Sequence, residues 1–213
     1  MDKFNLDYVE MMLPCLEGVK TVLDVGALDV NGTPKPLVTS RGLAYTGADI
    51  EAGRGVDVVV DITADAAVVD KAFSGRRFDL VMTLNALEHI FEPLKALDNM
   101  LNLVRAGGYL LVVAPCVWEP HAWPSDYYRL LPDFFTRYAA TRGIEVLEGS
   151  MHLSARDTGK FSSDLTVFPE EAPIRHDGYI TRKLAHFARR LVSGGLKESW
   201  PRTSINVTFR RNG

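Results

Sequence analysis

Only two cysteines, Cys15 and Cys116, occur among 213 residues. Two thiols can build neither a disulfide framework nor a four-thiolate zinc site, and they suit a reducing, cytoplasmic setting. Basic surplus is also missing, since 24 Lys and Arg stand against 27 Asp and Glu for a net charge of -3. A general nucleic-acid binder carries an excess of positive charge, so no nucleic-acid partner is expected. No apolar run approaches the ~20 residues that cross a bilayer, so no membrane span is expected. The opening MDKFNLDYVEMMLPCLEG lacks the basic, apolar, small-residue order of a signal peptide. Repeats, low-complexity tracts and a recognisable linker are absent as well. These absences favour one domain over residues 1–213, a length that buries roughly 70% of its unfolded surface without a covalent staple. Nothing in them speaks to oligomeric state.

What is present is an alternation of short apolar runs with helix-like segments, the pattern of βαβ units and a parallel sheet. Residues 20–26, 43–49, 56–61 and 78–83 read as four strands, and Tyr109–Pro115 as a fifth. Between the last two, Leu94, Leu97, Leu101 and Val104 recur at helical spacing. That helix is expected to start near Pro93 and to stop at Gly107-Gly108. Further on, residues 132–142 predict a helix closed by Gly143, 144–147 a sixth strand, 179–192 a basic amphipathic helix and 204–210 a terminal strand.

The first four strands end in Asp24, Asp49, Asp61 and Asn85. In a parallel sheet the ligand crevice lies outside these carboxyl ends. A single Asp there is often only a turn or cap residue, but four in succession behind a glycine turn point to a site. The turn reads Gly26-Ala27-Leu28-Asp29-Val30-Asn31-Gly32 and lacks the second glycine of the dinucleotide fingerprint G-x-G-x-x-G. Asp24 beside it would repel a pyrophosphate, so a cationic ligand suits the loop better.

These residues resemble the class I S-adenosylmethionine-dependent methyltransferases of the type 11 kind. Val22 through Gly32 is similar to the family's first motif, although Leu28 stands at its middle glycine. The resemblance implies an α/β, Rossmann-like, doubly wound and mostly parallel seven-stranded sheet with an antiparallel C-terminal strand. It implies S-adenosylmethionine as cofactor, with Asp24, Gly26 and Ala27 on its methionine side. Asp49 and Ile50 would meet the ribose, and Asp61 and Ile62 the adenine. The segment Asn85-Ala86-Leu87-Glu88-His89-Ile90 resembles the loop that closes over the methionine end, bringing Asn85 and Glu88 to the cofactor.

Residues 116–142 would hang over the same crevice as a substrate-side lid. Within them, His121 to Arg129 resembles an H-x-x-P-x-D-Y-aromatic-R pattern found in part of this family. His121, His89 and Asp126 are the expected catalytic residues, and Trp123, Tyr128 and Arg129 the expected substrate contacts. Asp126 and Arg129 also suit a purely structural ion pair, and His89 a loop-orienting hydrogen bond to a carbonyl. No metal is expected, because His89, His121, His152, His176 and His186 show no paired i, i+3 or i+4 spacing. The reaction implied is methyl transfer to a small-molecule or glycan acceptor, with an oxygen acceptor preferred. Two other readings stay open: a non-catalytic relative acting through partner contacts, and an NAD- or nucleotide-sugar-binding oxidoreductase.

Overall fold

β-Branched and apolar runs too short for helices pair side by side, and helices between them force parallel pairing. In the computed structural model, which describes residues 3–121, 125–155, 160–162 and 202–213, this happens for five strands. They are β1 (Thr21–Val25), β2 (Ala44–Asp49), β3 (Val58–Val59), β4 (Phe78–Leu84) and β5 (Val104–Val117). Their order is β3-β2-β1-β4-β5, all parallel, with Leu23 in register with Thr46 on one side and Val81 on the other. The chain therefore winds outward in both directions from β1, the doubly wound arrangement.

Four more strands extend the sheet: β6 (Glu145–Val146), β7 (His152–Ala155), β8 (Lys160–Ser162) and β9 (Thr203–Arg210). β9 runs antiparallel to β5, from Tyr109 opposite Arg210 to Val117 opposite Thr203, and both β6 and β7 pair with β9. Nine strands thus replace the expected seven among the described residues.

Both faces of the sheet are covered, which is why the central strands read as unbroken apolar runs. Leu80, Met82, Leu111 and Val113 face one side with Tyr8, Val9 and Met12 of α1 (Lys3–Met12) and Val38 of α2 (Lys35–Thr39). Val81, Leu110 and Val112 face the other, against α3 (Ala66–Ala72), α4 (Pro93–Leu103) and α5 (Pro132–Arg142). The five-residue length of α2 fits a segment carrying two prolines. Gly143 caps α5 at φ 62°, a left-handed position that suits glycine.

One helix boundary differs from expectation. α4 ends at Leu103, and Val104 already pairs with Phe78 as the first residue of β5. Gly108 serves close strand approach instead of stopping a helix, since a Cβ there would lie 2.8 Å from the Asp79 carbonyl oxygen. The third strand is also shorter than 56–61. Trp123 and the basic segment 179–192 lie outside the described residues. Among those residues, no helix is long and apolar enough to cross a membrane.

Candidate active site

Strand order reverses between β1 and β4, and there a cleft of about 890 Å³ opens at the carboxyl edge. That size falls within the ~300–1,000 Å³ of small-molecule sites. Its first wall is the turn after β1. Gly26 sits at φ +88°, and a Cβ there would come within 2.6 Å of the Ala86 Cβ, so glycine lets the β1 and β4 loops meet. The Gly26 and Ala27 N–H groups both donate to the Ala48 carbonyl, at 2.9 and 3.0 Å. Leu28 takes the place of a glycine because its N–H donates to Asp49 Oδ2 at 3.0 Å and its side chain rests on Gly53, which has no Cβ to oppose it. An Asp29–Arg54 ion pair at 2.9 Å ties the two loops further.

Asp49 is oriented twice, since Oδ1 also accepts from the Glu51 N–H at 3.2 Å. Beside it Ile50, 63% exposed, forms an apolar lip. Asp61 Oδ1 accepts from the Thr63 N–H and hydroxyl at 2.8 and 2.6 Å, which shapes the turn after β3. Buried Asn99 of α4 fixes the same turn by donating to the Ile62 and Ala64 carbonyls at 2.8 and 2.9 Å.

The β4 loop forms the floor. Asn85 holds φ 54°, a left-handed conformation that Asn tolerates better than most residues, and its buried Oδ1 meets no donor. Glu88 follows on a short 3-10 turn (Leu87–His89), with its side chain 1% exposed. Among the described residues, no other residue's donor reaches either carboxyl oxygen. Burial pushes this carboxyl up to about 8, against weaker opposition from its own amide and the Arg129 charge.

The segment after β5 closes the far end. His89 Nδ1 lies 2.6 Å from the Ser125 carbonyl oxygen, and the Tyr127 N–H donates to the Glu88 carbonyl at 2.8 Å. His121 donates its backbone N–H to Asp126 Oδ2 at 2.8 Å, and its Nδ1 lies 3.4 Å from the same oxygen. Arg129 grips both Asp126 oxygens and donates to the Trp118 and Glu119 carbonyls. The Arg129 guanidinium, more than the His121 contacts, holds the Asp126 carboxyl down at about 2. The rings of His89 and His121 meet edge to face, 5.0 Å between centroids.

Of the expected site residues, Gly26, Asp49, Ile50, Asp61, Ile62, Asn85, Glu88, His89 and His121 line one cleft. Asp24 and Ala27 do not. They are buried beneath the loop, where Asp24 Oδ2 accepts from the Tyr45 hydroxyl at 2.7 Å and burial raises the carboxyl to about 7. Asp126 and Arg129 stand behind His121 as the structural ion pair, and the Tyr128 hydroxyl donates to the Phe91 carbonyl at 3.0 Å. Sequence reasoning missed Asn99, though a polar residue on the core side of α4 was a usable signal. It also missed Arg202, which lines the cleft from just before β9, pairs with Glu119 and lies 5.4 Å over the Trp118 ring. Nothing in the sequence connects those positions. The basis for excluding a metal fails too: Glu88, His89 and His121 bring ligand atoms within 4.8 Å of one another.

Among the described residues the lining sets five carboxylates, Asp49, Glu51, Asp61, Glu92 and Glu119, besides the buried Glu88 carboxyl, against one arginine that is itself paired. Such a wall repels phosphates and accommodates a positively charged ligand.

Comparisons with known proteins agree with this chemistry. A family model described as a methyltransferase domain matches residues 1–147. A ubiquinone biosynthesis O-methyltransferase of Nitrosomonas europaea is 27% identical over 123 residues, 52% of this chain and 49% of that protein. The chain therefore spans about half the length of the curated relatives it matches. Among solved structures, the 1,6-didemethyltoxoflavin-N1-methyltransferase of Burkholderia thailandensis, with bound 1,6-didemethyltoxoflavin and S-adenosylhomocysteine, superposes with a TM-score of 0.60 at 11% identity. That match covers 100% of this chain and 80% of the other. A SAM-dependent methyltransferase from Archaeoglobus fulgidus gives 0.55 at 14% identity, covering 97% and 94%. At such identities these structures speak for the fold, while the family match speaks for descent: this chain belongs to the class I S-adenosylmethionine-dependent methyltransferases.

Proposed function

We propose that the cleft binds S-adenosylmethionine and that the chain methylates a small-molecule or glycan acceptor, by preference at a hydroxyl oxygen. The observation that carries this reading is the acid-lined cleft at the reversal of strand order. When bound, the cofactor supplies a methyl group activated by sulfonium charge. Asp49 would accept from the ribose hydroxyls, with Ile50 covering the sugar. Asp61 and Ile62 would meet the edge of the base, and Gly26 and Asn85 the methionine end. Glu88, His89 and His121 then mark the acceptor end.

Positioning supplies most of the rate enhancement, since holding two reactants in line converts a bimolecular encounter into an effectively unimolecular one. A hydroxyl acceptor must also lose a proton. With Nδ1 facing two acceptor oxygens, Asp126 Oδ2 and the Glu119 carbonyl, the neutral His121 ring presents the Nε2 lone pair as base. The relatives named for O-methylation support an oxygen acceptor.

A thermal-shift screen tests the reading, because a ligand that binds only the folded state raises its melting temperature. S-adenosylmethionine and S-adenosylhomocysteine are expected to stabilise the chain and NAD to leave it unchanged. Stabilisation by NAD alone would replace this reading with the oxidoreductase, and no response to any of the three with the non-catalytic relative.

A further inference from the structure

The acceptor end of the cleft gathers three electron-pair donors around one point. His89 Nε2 and His121 Nε2 lie 3.8 and 3.9 Å from Glu88 Oε1. Their neighbours fix what each atom can offer. A backbone carbonyl only accepts, so the 2.6 Å contact between His89 Nδ1 and Ser125 puts the proton on Nδ1 and the lone pair on Nε2. His121 Nδ1 stands 3.4 Å from both Asp126 Oδ2 and the Glu119 carbonyl, with the same consequence. Glu88 adds a carboxyl group that is 1% exposed and, among the described residues, receives no donor from another residue. A buried acceptor without a donor costs free energy, and the two partly exposed imidazole lone pairs beside Glu88 supply none, whereas a cation between the three would satisfy them together.

We propose that Glu88, His89 and His121 bind one divalent transition-metal ion. Two imidazoles and one carboxylate favour ions such as Zn²⁺, Fe²⁺ or Co²⁺ over Mg²⁺ and Ca²⁺, which prefer all-oxygen shells. Ligand atoms bonded to such an ion at about 2.0–2.1 Å lie roughly 3–4 Å apart, so small side-chain rotations complete the shell. The surroundings match those of metal-bound histidines, whose second ring nitrogen donates to a carbonyl or carboxylate. Arg129, by gripping Asp126, fixes the carboxylate that does this for His121. Three protein ligands leave at least one position open toward the cleft. On the methyl-transfer reading, and resting on it, an oxygen of the acceptor occupies that position, and the ion, which then holds the His121 Nε2 lone pair, eases loss of the hydroxyl proton in place of the imidazole base.

The test uses the full chain after chelator treatment, titrated calorimetrically with Zn²⁺ and by visible absorption with Co²⁺. One equivalent of either ion is expected to bind, and a large excess of Mg²⁺ to leave Co²⁺ in place. Glu88→Gln and His121→Ala are each expected to weaken binding at least about tenfold while melting cooperatively by circular dichroism. Failure of the wild type to take up one equivalent overturns the site, as does equal affinity in wild type and both variants. Titration of the wild type with S-adenosylmethionine separates the two proposals. Metal uptake without cofactor binding removes the methyl-transfer reading alone, and cofactor binding without metal uptake removes the metal alone.

Discussion

The two edges of the parallel sheet treat buried polar atoms in opposite ways. At the amino edge, Asp79 at the start of β4 accepts from the Lys20 N–H, the Thr21 N–H and the Thr21 hydroxyl at 2.8–2.9 Å, and pairs with Arg105 of β5. Burial alone would raise this carboxyl, but the Arg105 and Lys20–Thr21 donors outweigh it and hold the group at about 2. At the carboxyl edge, one oxygen of Asp24, the Thr83 hydroxyl, the Asn85 side-chain oxygen and both oxygens of Glu88 lack hydrogen-bond partners among the described residues. Buried polar groups without partners are rare where a structure serves stability alone. One edge is a knot that closes three strands, and the other keeps unused hydrogen-bonding capacity, which at Asn85 and Glu88 faces the cleft. The contrast marks the carboxyl edge as the candidate site without reference to any relative.

The contrast can be broken most sharply at His121. His121→Ala is expected to lower turnover on the order of 100-fold or more while cofactor affinity changes little, because the ring sits at the acceptor end. Equal losses in rate and cofactor affinity would reduce His121 to a prop for the lid. At the other edge, Asp79→Ala should cost about 2–3 kcal/mol of unfolding free energy in denaturant titrations, since it strands several donors and the Arg105 charge. Its effect on cofactor affinity should be negligible, and a loss of affinity with unchanged stability would invert the assignment of the two edges. The sign of its pH dependence follows from the depressed carboxyl. Asp79 stabilises the fold above the ordinary carboxylate range, and that contribution disappears as pH falls from about 4 toward 2.

The smallest expected effect is at Asp24, where the sign is opposite. Burial raises its carboxyl to about 7, the Tyr45 hydroxyl opposes this, and the charge of Asp49 adds to it. The folded state therefore favours the protonated form, and the stability this group contributes is lost as pH rises from about 4 through 7. Asp24→Asn should melt higher than wild type at pH 8, by about 2–4 °C, with the advantage shrinking as pH is lowered to 4. A difference in melting temperature that does not vary with pH would show that Asp24 stays charged in its pocket.

Much of this was legible because the signals were local. Strands β1, β2 and β4, the polar residues at their tips and the cap at Gly143 were all readable from neighbours in sequence. Val104 misled because its position continued the apolar stripe of α4, while the pairing with Phe78 that claims it for β5 depends on a strand 26 residues away. Asp24 was assigned to the ligand because it precedes the glycine turn, but pleat alternation and the Tyr45 hydroxyl turn it inward. The Glu88–His89–His121 cluster was invisible for a related reason. Ligand spacing was sought along one helix, whereas the fold assembles the set from the β4 loop and the segment after β5. Asp126 was expected beside the catalytic histidine and Arg129 at the substrate, with an internal ion pair as the other reading; the two side chains pair directly, and Asp126 also touches His121.

Isothermal titration of S-adenosylmethionine into wild type and Asp49→Ala bears most directly on the central claim that acids at the strand tips recognise a cationic nucleoside. One-to-one binding by the wild type is expected, with loss of measurable binding in the variant and an unchanged circular dichroism spectrum. Equal affinity in both proteins, or no binding by the wild type, would contradict the account.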